Sequence, residues 1–303
     1  MPMREREEIQ KVLRGISEGP EPSHQEPRRV TIAGIQCTAG KNRDDNLKRL
    51  LQFARTAVDR GARLLFFPEC FSLPWMHMMP ASDYRDYAES IPGPSTRPFI
   101  ELAAAHDAWC FCPVYEQNGM DRFFSTVIIG PGGVHGVYRK IQPAAKPYWE
   151  ETSLAAPGND LPLFDLGFVK IGVLMGWDCF FPEAARILAL KGAELLFVPT
   201  ASAMASQKRW FHVLTGHSVC NGYFVVRVNR CGSEAELGFY GESFCVDPFG
   251  EPVTQPTFHK DALLVADIDL NEVSLARCEF SFMEERRPGL YGLIAVSRDT
   301  DEG

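Results

Sequence analysis

The sequence predicts an α/β protein in which stacked β-sheets are covered by helices. Two patterns carry this expectation: apolar runs of strand length alternate with helical segments, and the second half of the chain is rich in strands. The 303 residues, 45% of them hydrophobic, suffice for one large core, and no second domain is discernible.

Taken in order, Val30 to Cys37 is an apolar run that reads as a strand. Asn42 to Arg60 reads as a helix, and Leu64 to Phe67 as a strand. Thr96 to His106 is a predicted helix. Trp109 to Tyr115 and Phe123 to Ile129 are predicted strands, and the turn signal Pro131 to Gly133 leads into a third at Val134 to Tyr138. Ile171 to Met175 reads as a buried strand, followed by a helix over Phe181 to Leu190 with Pro182 in its first turn. The series is completed by strands at Leu195 to Val198, Phe224 to Asn229, Gly241 to Asp247 and Ala262 to Asp269, with a helix over Trp210 to Asn221. Ahead of all these, residues 1–28 read as an N-terminal arm: a short amphipathic helix over Arg4 to Arg14, then a linker rich in Gly, Pro, Ser and Glu from Gly19 to Pro27. The remaining residues, 29–303, read as one domain.

Composition excludes several classes of function. A net charge of -8 without a Lys/Arg cluster argues against nucleic acid as a partner. No stretch is long and apolar enough to span a membrane, and no apolar run follows the N-terminal charges as in a signal peptide. The nine cysteines, odd in number and in apolar contexts, point to reduced thiols and a cytoplasmic location. Cys110 and Cys112 would share one face of a strand, yet no second pair completes a metal site. His77, His212 and His217 are candidates to approach a pocket, but their spacing gives no metal motif. No glycine-rich phosphate loop is present, so no cofactor is expected.

The segment from Gly172 to Glu183 is the most informative. A sharp turn between a buried strand and a helix exposes one side chain and aims helix-end amides at a developing oxyanion. Here the bend carries Gly176, followed by Trp177, Asp178 and Cys179. Two other segments end in charge: Arg63 to Phe67 runs through Pro68 into Glu69, and Gly136 to Arg139 runs into Lys140. Read singly, these are a solvated acid and a surface cation after strands.

Together the three segments resemble the nitrilase superfamily of carbon-nitrogen hydrolases, whose Glu, Lys and Cys come from three distant segments. Trp177, Asp178 and Phe181-Pro182-Glu183 match its active-site turn, but Gly176 stands where the family has its nucleophilic cysteine. Tyr148 to Glu151 followed by Pro157 and Gly158 resembles the loop that often supplies a second Glu; the spacing favours Glu151, with Glu150 left open. Further matches at Val198-Pro199-Thr200, Arg209-Trp210, Asn221, Val228 to Arg230, Phe239 to Phe244 and Arg286 to Tyr291 carry the resemblance to about Tyr291. Carbamoyl-cleaving branches, including those like β-ureidopropionase, are the nearest in pattern.

The resemblance implies a four-layer α-β-β-α sandwich that pairs as a homodimer or a larger homo-oligomer. It implies a small amide or N-carbamoyl substrate hydrolysed with release of ammonia. Glu69 would be general base, Lys140 the oxyanion support, Glu151 an orienting acid and position 176 the nucleophile. Amides and ureas are poor electrophiles, so attack needs a strong nucleophile, a base and a cation together. Tyr148, Trp177, Asp178, Cys179 and Thr200 are candidate substrate contacts. The loops Phe71 to Ser82 and Thr200 to Arg209 should line the pocket, Met76, His77, Met78 and Met79 giving either an apolar wall or a contact with a neighbouring subunit. With glycine at 176, three readings stand: a replacement made to trap substrate, a pseudoenzyme that keeps the pocket for binding or assembly, or an enzyme that uses Cys179 or water in the space left.

Overall fold

The computed structural model describes residues 26–203 and 206–296; the helix expected over Arg4 to Arg14 lies outside them. In chain order the elements are β1 (Arg29–Gln36), α1 (Arg43–Asp59), β2 (Leu64–Phe66), α2 (Ala81–Arg85), α3 (Arg97–His106), β3 (Trp109–Asn118), β4 (Asp121–Gly130), β5 (Gly133–Arg139), β6 (Ala145–Lys146), β7 (Trp149–Glu150), β8 (Leu163–Asp165) and β9 (Lys170–Val173). They continue as α4 (Pro182–Leu190), β10 (Leu195–Thr200), α5 (Gln207–Asn221), β11 (Phe224–Asn229), β12 (Cys231–Glu234), β13 (Leu237–Tyr240), β14 (Phe244–Val246), β15 (Ala262–Asp269) and α6 (Asn271–Glu279).

One six-stranded sheet runs β15-β1-β2-β3-β4-β5 and a five-stranded sheet runs β14-β11-β10-β9-β8. In each, three central strands are parallel, β1-β2-β3 and β9-β10-β11, and antiparallel strands close the edges. Parallel strands need crossover helices, which cover the outer faces. Three cores follow. Phe66 and Phe111 of the first sheet meet Phe197 and Val226 of the second in the central core, where the Phe66 and Phe197 rings lie 4.7 Å apart. Leu50 and Ala54 of α1 and Phe99 of α3 pack on the outside of the first sheet. Leu188 of α4 and Leu214 of α5 pack on the outside of the second. The layers are therefore α-β-β-α, as the resemblance implied. Gly34 on β1 lets the sheets approach, since a Cβ there would stand 3.0 Å from Val228.

Cys110 and Cys112 share one face of β3, in the outer core of the first sheet, as expected. Elsewhere the structure corrects the reading. Gly241 and Glu242 have φ of 69° and 53°, which breaks the extended backbone, so only Phe244–Val246 of the strand expected from Gly241 to Asp247 forms. The hairpin of β12 and β13, turning at Ala235 with φ 50°, and helix α6 were not anticipated. Met76 and Trp75 are buried in the central core. Pro80 to Ser82 are exposed, and no residue from Phe71 to Ser82 lines the cavity described below, so the apolar methionine wall, one of the two readings, does not form there.

Candidate active site

Three strand ends deliver the residues of the site, two of them charged. Glu69 follows β2, Lys140 directly follows β5, and Gly176 opens a 3₁₀ turn, Gly176–Phe180, after β9. Lys140 Nζ donates to Glu69 Oε1 at 2.8 Å and to Glu151 Oε1 at 2.7 Å. All three side chains are buried, none more than 2% exposed. The second oxygen of Glu151 accepts from Ala144 N at 2.7 Å. Glu150 is exposed and bonds only locally, to Tyr148 N, so Glu151 is the acid that touches Lys140.

Gly176 has φ 51°, in the left-handed region where a Cβ is crowded. An ideal Cβ built there would lie 3.0 Å from Glu69 Oε2, 3.1 Å from Glu69 Oε1 and 3.0 Å from Lys140 Nζ. A side chain at position 176 would therefore enter between the carboxylate and the ammonium.

Neighbouring residues hold this arrangement. Asp178 is buried; its Oδ1 accepts from Gln142 N at 2.6 Å, and its Oδ2 accepts from Met175 N at 3.2 Å and from the Tyr138 hydroxyl. It fastens the glycine turn to the segment that carries Lys140 and does not line the cavity. Arg230, buried, donates to the carbonyls of Glu69 at 3.1 Å, Cys70 at 2.8 Å and Leu73 at 2.9 Å, and to the Glu234 carboxylate. Glu234 in turn accepts from Trp75 N at 2.6 Å. Sequence reading missed Glu234; four residues after Arg230 in a hairpin, it carries no signal until that hairpin is known.

Above the charged cluster opens a cavity of about 450 Å³. Its walls are aromatic, from Trp149, Trp177, Phe180 and Trp210, with Ser202 and Ser206 beside them. Two exposed cations, Lys146 and Arg209, stand at its outer part, and Lys146 Nζ sits 3.4 Å from the centre of the Trp177 ring. Of the other candidate contacts, Cys179 faces the core between the second sheet and its helices, with Sγ directed to Leu174 O at 3.5 Å and burial holding its thiol well above the usual range. Thr200 is buried against Asn229 at 2.9 Å. Tyr148, with φ 69°, turns its ring toward His77. None of these three lines the cavity. Among the described residues no cluster of His, Cys, Asp and Glu has the grouping to hold a metal ion.

Burial opposes the charge on Lys140, but the carboxylates of Glu151 and Glu69 outweigh it and hold the ammonium more firmly protonated than usual. For Glu151 burial wins over the pull of Lys140, and its carboxyl is raised from 4.5 to about 7. An acid that holds its proton more tightly when folded weakens the fold as it ionises. The Glu151 contribution to stability therefore falls as pH rises from 4.5 to about 7 and is level above that. Unfolding of the unaltered chain and of Glu151→Gln, measured across this window, should give a difference in stability that declines with rising pH; a level difference would mean an ordinary carboxyl.

A layered α/β scaffold with a buried Glu-Lys-Glu cluster under an aromatic cavity defines a small-molecule site of hydrolase type. The chain belongs to the carbon-nitrogen hydrolase family, within the nitrilase superfamily: the family model matches residues 30–277. It is 31% identical over 286 residues to an N-carbamoylputrescine amidase of Solanum lycopersicum, covering 88% of this chain and 95% of that one. It is 30% identical over 279 residues to a citrullinase of Francisella tularensis, covering 88% and 98%. Its fold superposes with a TM-score of 0.74, at 26% identity and over 90% of this chain and 97% of the other, on an amidase from Nesterenkonia sp. AN1. That amidase was solved with the acetamide moiety of fluoroacetamide covalently added at its active-site cysteine. Among the described residues no helix is long and apolar enough to cross a membrane.

Proposed function

We propose that this chain binds an amide or N-carbamoyl group in the aromatic cavity and, with glycine at position 176, does not carry it through to ammonia. The observation that carries the reading is the convergence of Glu69 and Lys140, each 3.0 Å from where a Cβ of residue 176 would stand. Glu69 is the proposed base, Lys140 the oxyanion support, and Glu151 the acid that orients Lys140. Trp177 supplies a cavity wall, and Asp178 is a positioning residue. Removing the nucleophile of a coupled catalytic unit costs on the order of a million-fold in turnover. A trapped variant and a binding subunit share this behaviour.

Charge at the cavity supports a finer choice. Its acids, Glu69 and Glu151, are both engaged with Lys140, while neither Lys146 nor Arg209 is ion-paired with a described residue. This favours a substrate with a carboxylate tail, such as an N-carbamoyl amino acid or the monoamide of a dicarboxylic acid, over a carbamoyl diamine, whose ammonium would be repelled. Calorimetric titration with N-carbamoyl amino acids and with N-carbamoylputrescine, alongside an ammonia assay, tests both parts. The acid should bind about tenfold or more tightly than the amine and lose that margin in Arg209→Glu, with no ammonia released. Equal binding of acid and amine would remove the charge argument; rapid ammonia release would remove the claim of silence.

Two further expectations stand with this reading. Leu290, Leu293, Ile294 and Val296 are 67%, 86%, 60% and 66% exposed, which supports contact with a second copy in a homo-oligomer. A cytoplasmic location rests on the odd number of cysteines alone.

A further inference from the structure

A second cavity, of about 390 Å³, lies between the start of α5 and β11, and its inner wall holds Arg227. Arg227 is 1% exposed, and burial works against its charge. A buried arginine ordinarily meets a carboxylate. This one forms no ion pair with any described residue. Its Nη2 donates to the Tyr240 hydroxyl at 2.8 Å and its Nη1 to Glu242 O at 3.3 Å, while its buried Nε has no hydrogen-bond partner. The rings of Trp210, Tyr240 and Phe244 surround the guanidinium at 5.1, 5.2 and 5.8 Å. It cannot withdraw, because β11 is hydrogen-bonded on both sides, to β10 and β14.

We propose that this cavity is a second ligand site, for a small organic carboxylate, separate from the cavity over Glu69 and Lys140. The fork of Arg227 offers paired donors of the spacing a carboxylate accepts. Lys208 and His212, one turn apart on α5, line the same cavity, against one acid, Glu242. The first turn of α5 contains no acidic residue and its N-terminus has no side-chain cap, so nothing on the helix offsets its positive end. Phe211 and Phe244, edge to face at 5.3 Å, give the hydrocarbon body of the ligand an apolar wall. Arg209 and Trp210, on the same turn of α5, line the first cavity, so one helical turn forms part of both sites.

The test is calorimetric titration of the full chain with benzoate, and with benzyl alcohol as an uncharged counterpart that carries no amide. Benzoate should bind and benzyl alcohol should not. Lys208→Glu, at an exposed position, and Arg227→Met should each weaken benzoate about tenfold or more, while Arg209→Glu should leave that binding in place. If Arg227→Met fails to fold, the contrast between Lys208→Glu and Arg209→Glu decides alone. The proposal is overturned if the folded chain does not bind benzoate or binds benzyl alcohol equally well. It is also overturned if Arg209→Glu abolishes the binding and Lys208→Glu does not, since benzoate then sits in the first cavity. Dissociation of an oligomer by Lys208→Glu in sedimentation, with benzoate binding unchanged, would assign the surface to a second copy and overturn it too.

Discussion

Gly176→Cys should convert a chain that releases no ammonia into one that does, on carboxylate-bearing amides or N-carbamoyl compounds. The gain should be about a thousand-fold or more, a part of the roughly million-fold that loss of a nucleophile costs. The new Cβ would stand 3.0 Å from both Glu69 Oε2 and Lys140 Nζ, so the sulfur enters a site that already has a base and a cation. Glu69 would take the thiol proton as sulfur attacks the carbonyl carbon. Lys140 would hold the oxygen as it becomes negative, and the departing nitrogen would leave with the proton from Glu69. Because φ at 176 is 51°, a residue with a Cβ is strained there by about 1–2 kcal/mol. The variant should therefore unfold at a lower temperature while gaining activity. Glu69→Gln in the cysteine background should reduce turnover by about a hundredfold or more. Activity in both the glycine and the cysteine chain would overturn the view that Gly176 disables the chemistry. Silence in a folded cysteine variant would mean that the cluster binds without being able to catalyse.

Lys140→Met should be the most destabilising substitution in the site, by about 3–5 kcal/mol. Methionine matches the lysine stem in length, so little packing is lost. What is lost is the cation between Glu69 and Glu151, whose side chains are 2% and 0% exposed. Two buried carboxylates would then face each other without a counter-charge. Protonating one relieves the repulsion, so the folded variant binds protons more tightly than the unfolded chain and its stability should rise as pH falls. Adding Glu69→Gln to Lys140→Met should recover part of the loss. Urea unfolding of the three proteins at neutral and mildly acidic pH measures this. A Lys140→Met variant as stable as the parent at neutral pH would mean that water enters the cluster and the pair carries no net stability.

The central strands were legible because both faces of β1, β2, β10 and β11 are covered, leaving unbroken apolar runs that locate themselves. Helix α1 was legible as a helical segment, and in the structure the Asn42 side chain caps it by accepting from Asp45 N. Glu69, Lys140 and Gly176 were legible only as ends of such runs with a familiar order. The β12-β13 hairpin was not, because its turn at Ala235 adopts positive φ without the glycine or asparagine that would announce it. Thr200 and Cys179 read as pocket residues because they adjoin matched motifs. Neighbours along a strand or a 3₁₀ turn point in different directions: Cys179 points into the core between the second sheet and its helices, and Thr200 toward Asn229.

By itself the sequence determined the layered fold, the family, the two segments that end in Glu69 and Lys140 and the turn that carries Gly176, because each is written in local runs and short motifs. Only the tertiary structure decided that Glu151 and not Glu150 meets Lys140, that Arg230 and Glu234 hold the Glu69 segment, and that Lys146 and Arg209 share a cavity. Those pairings join residues brought together by folding, and Arg227 stands without a carboxylate for the same reason: which charges meet inside a protein is fixed by how sheets and helices pack, and no spacing along the chain encodes it.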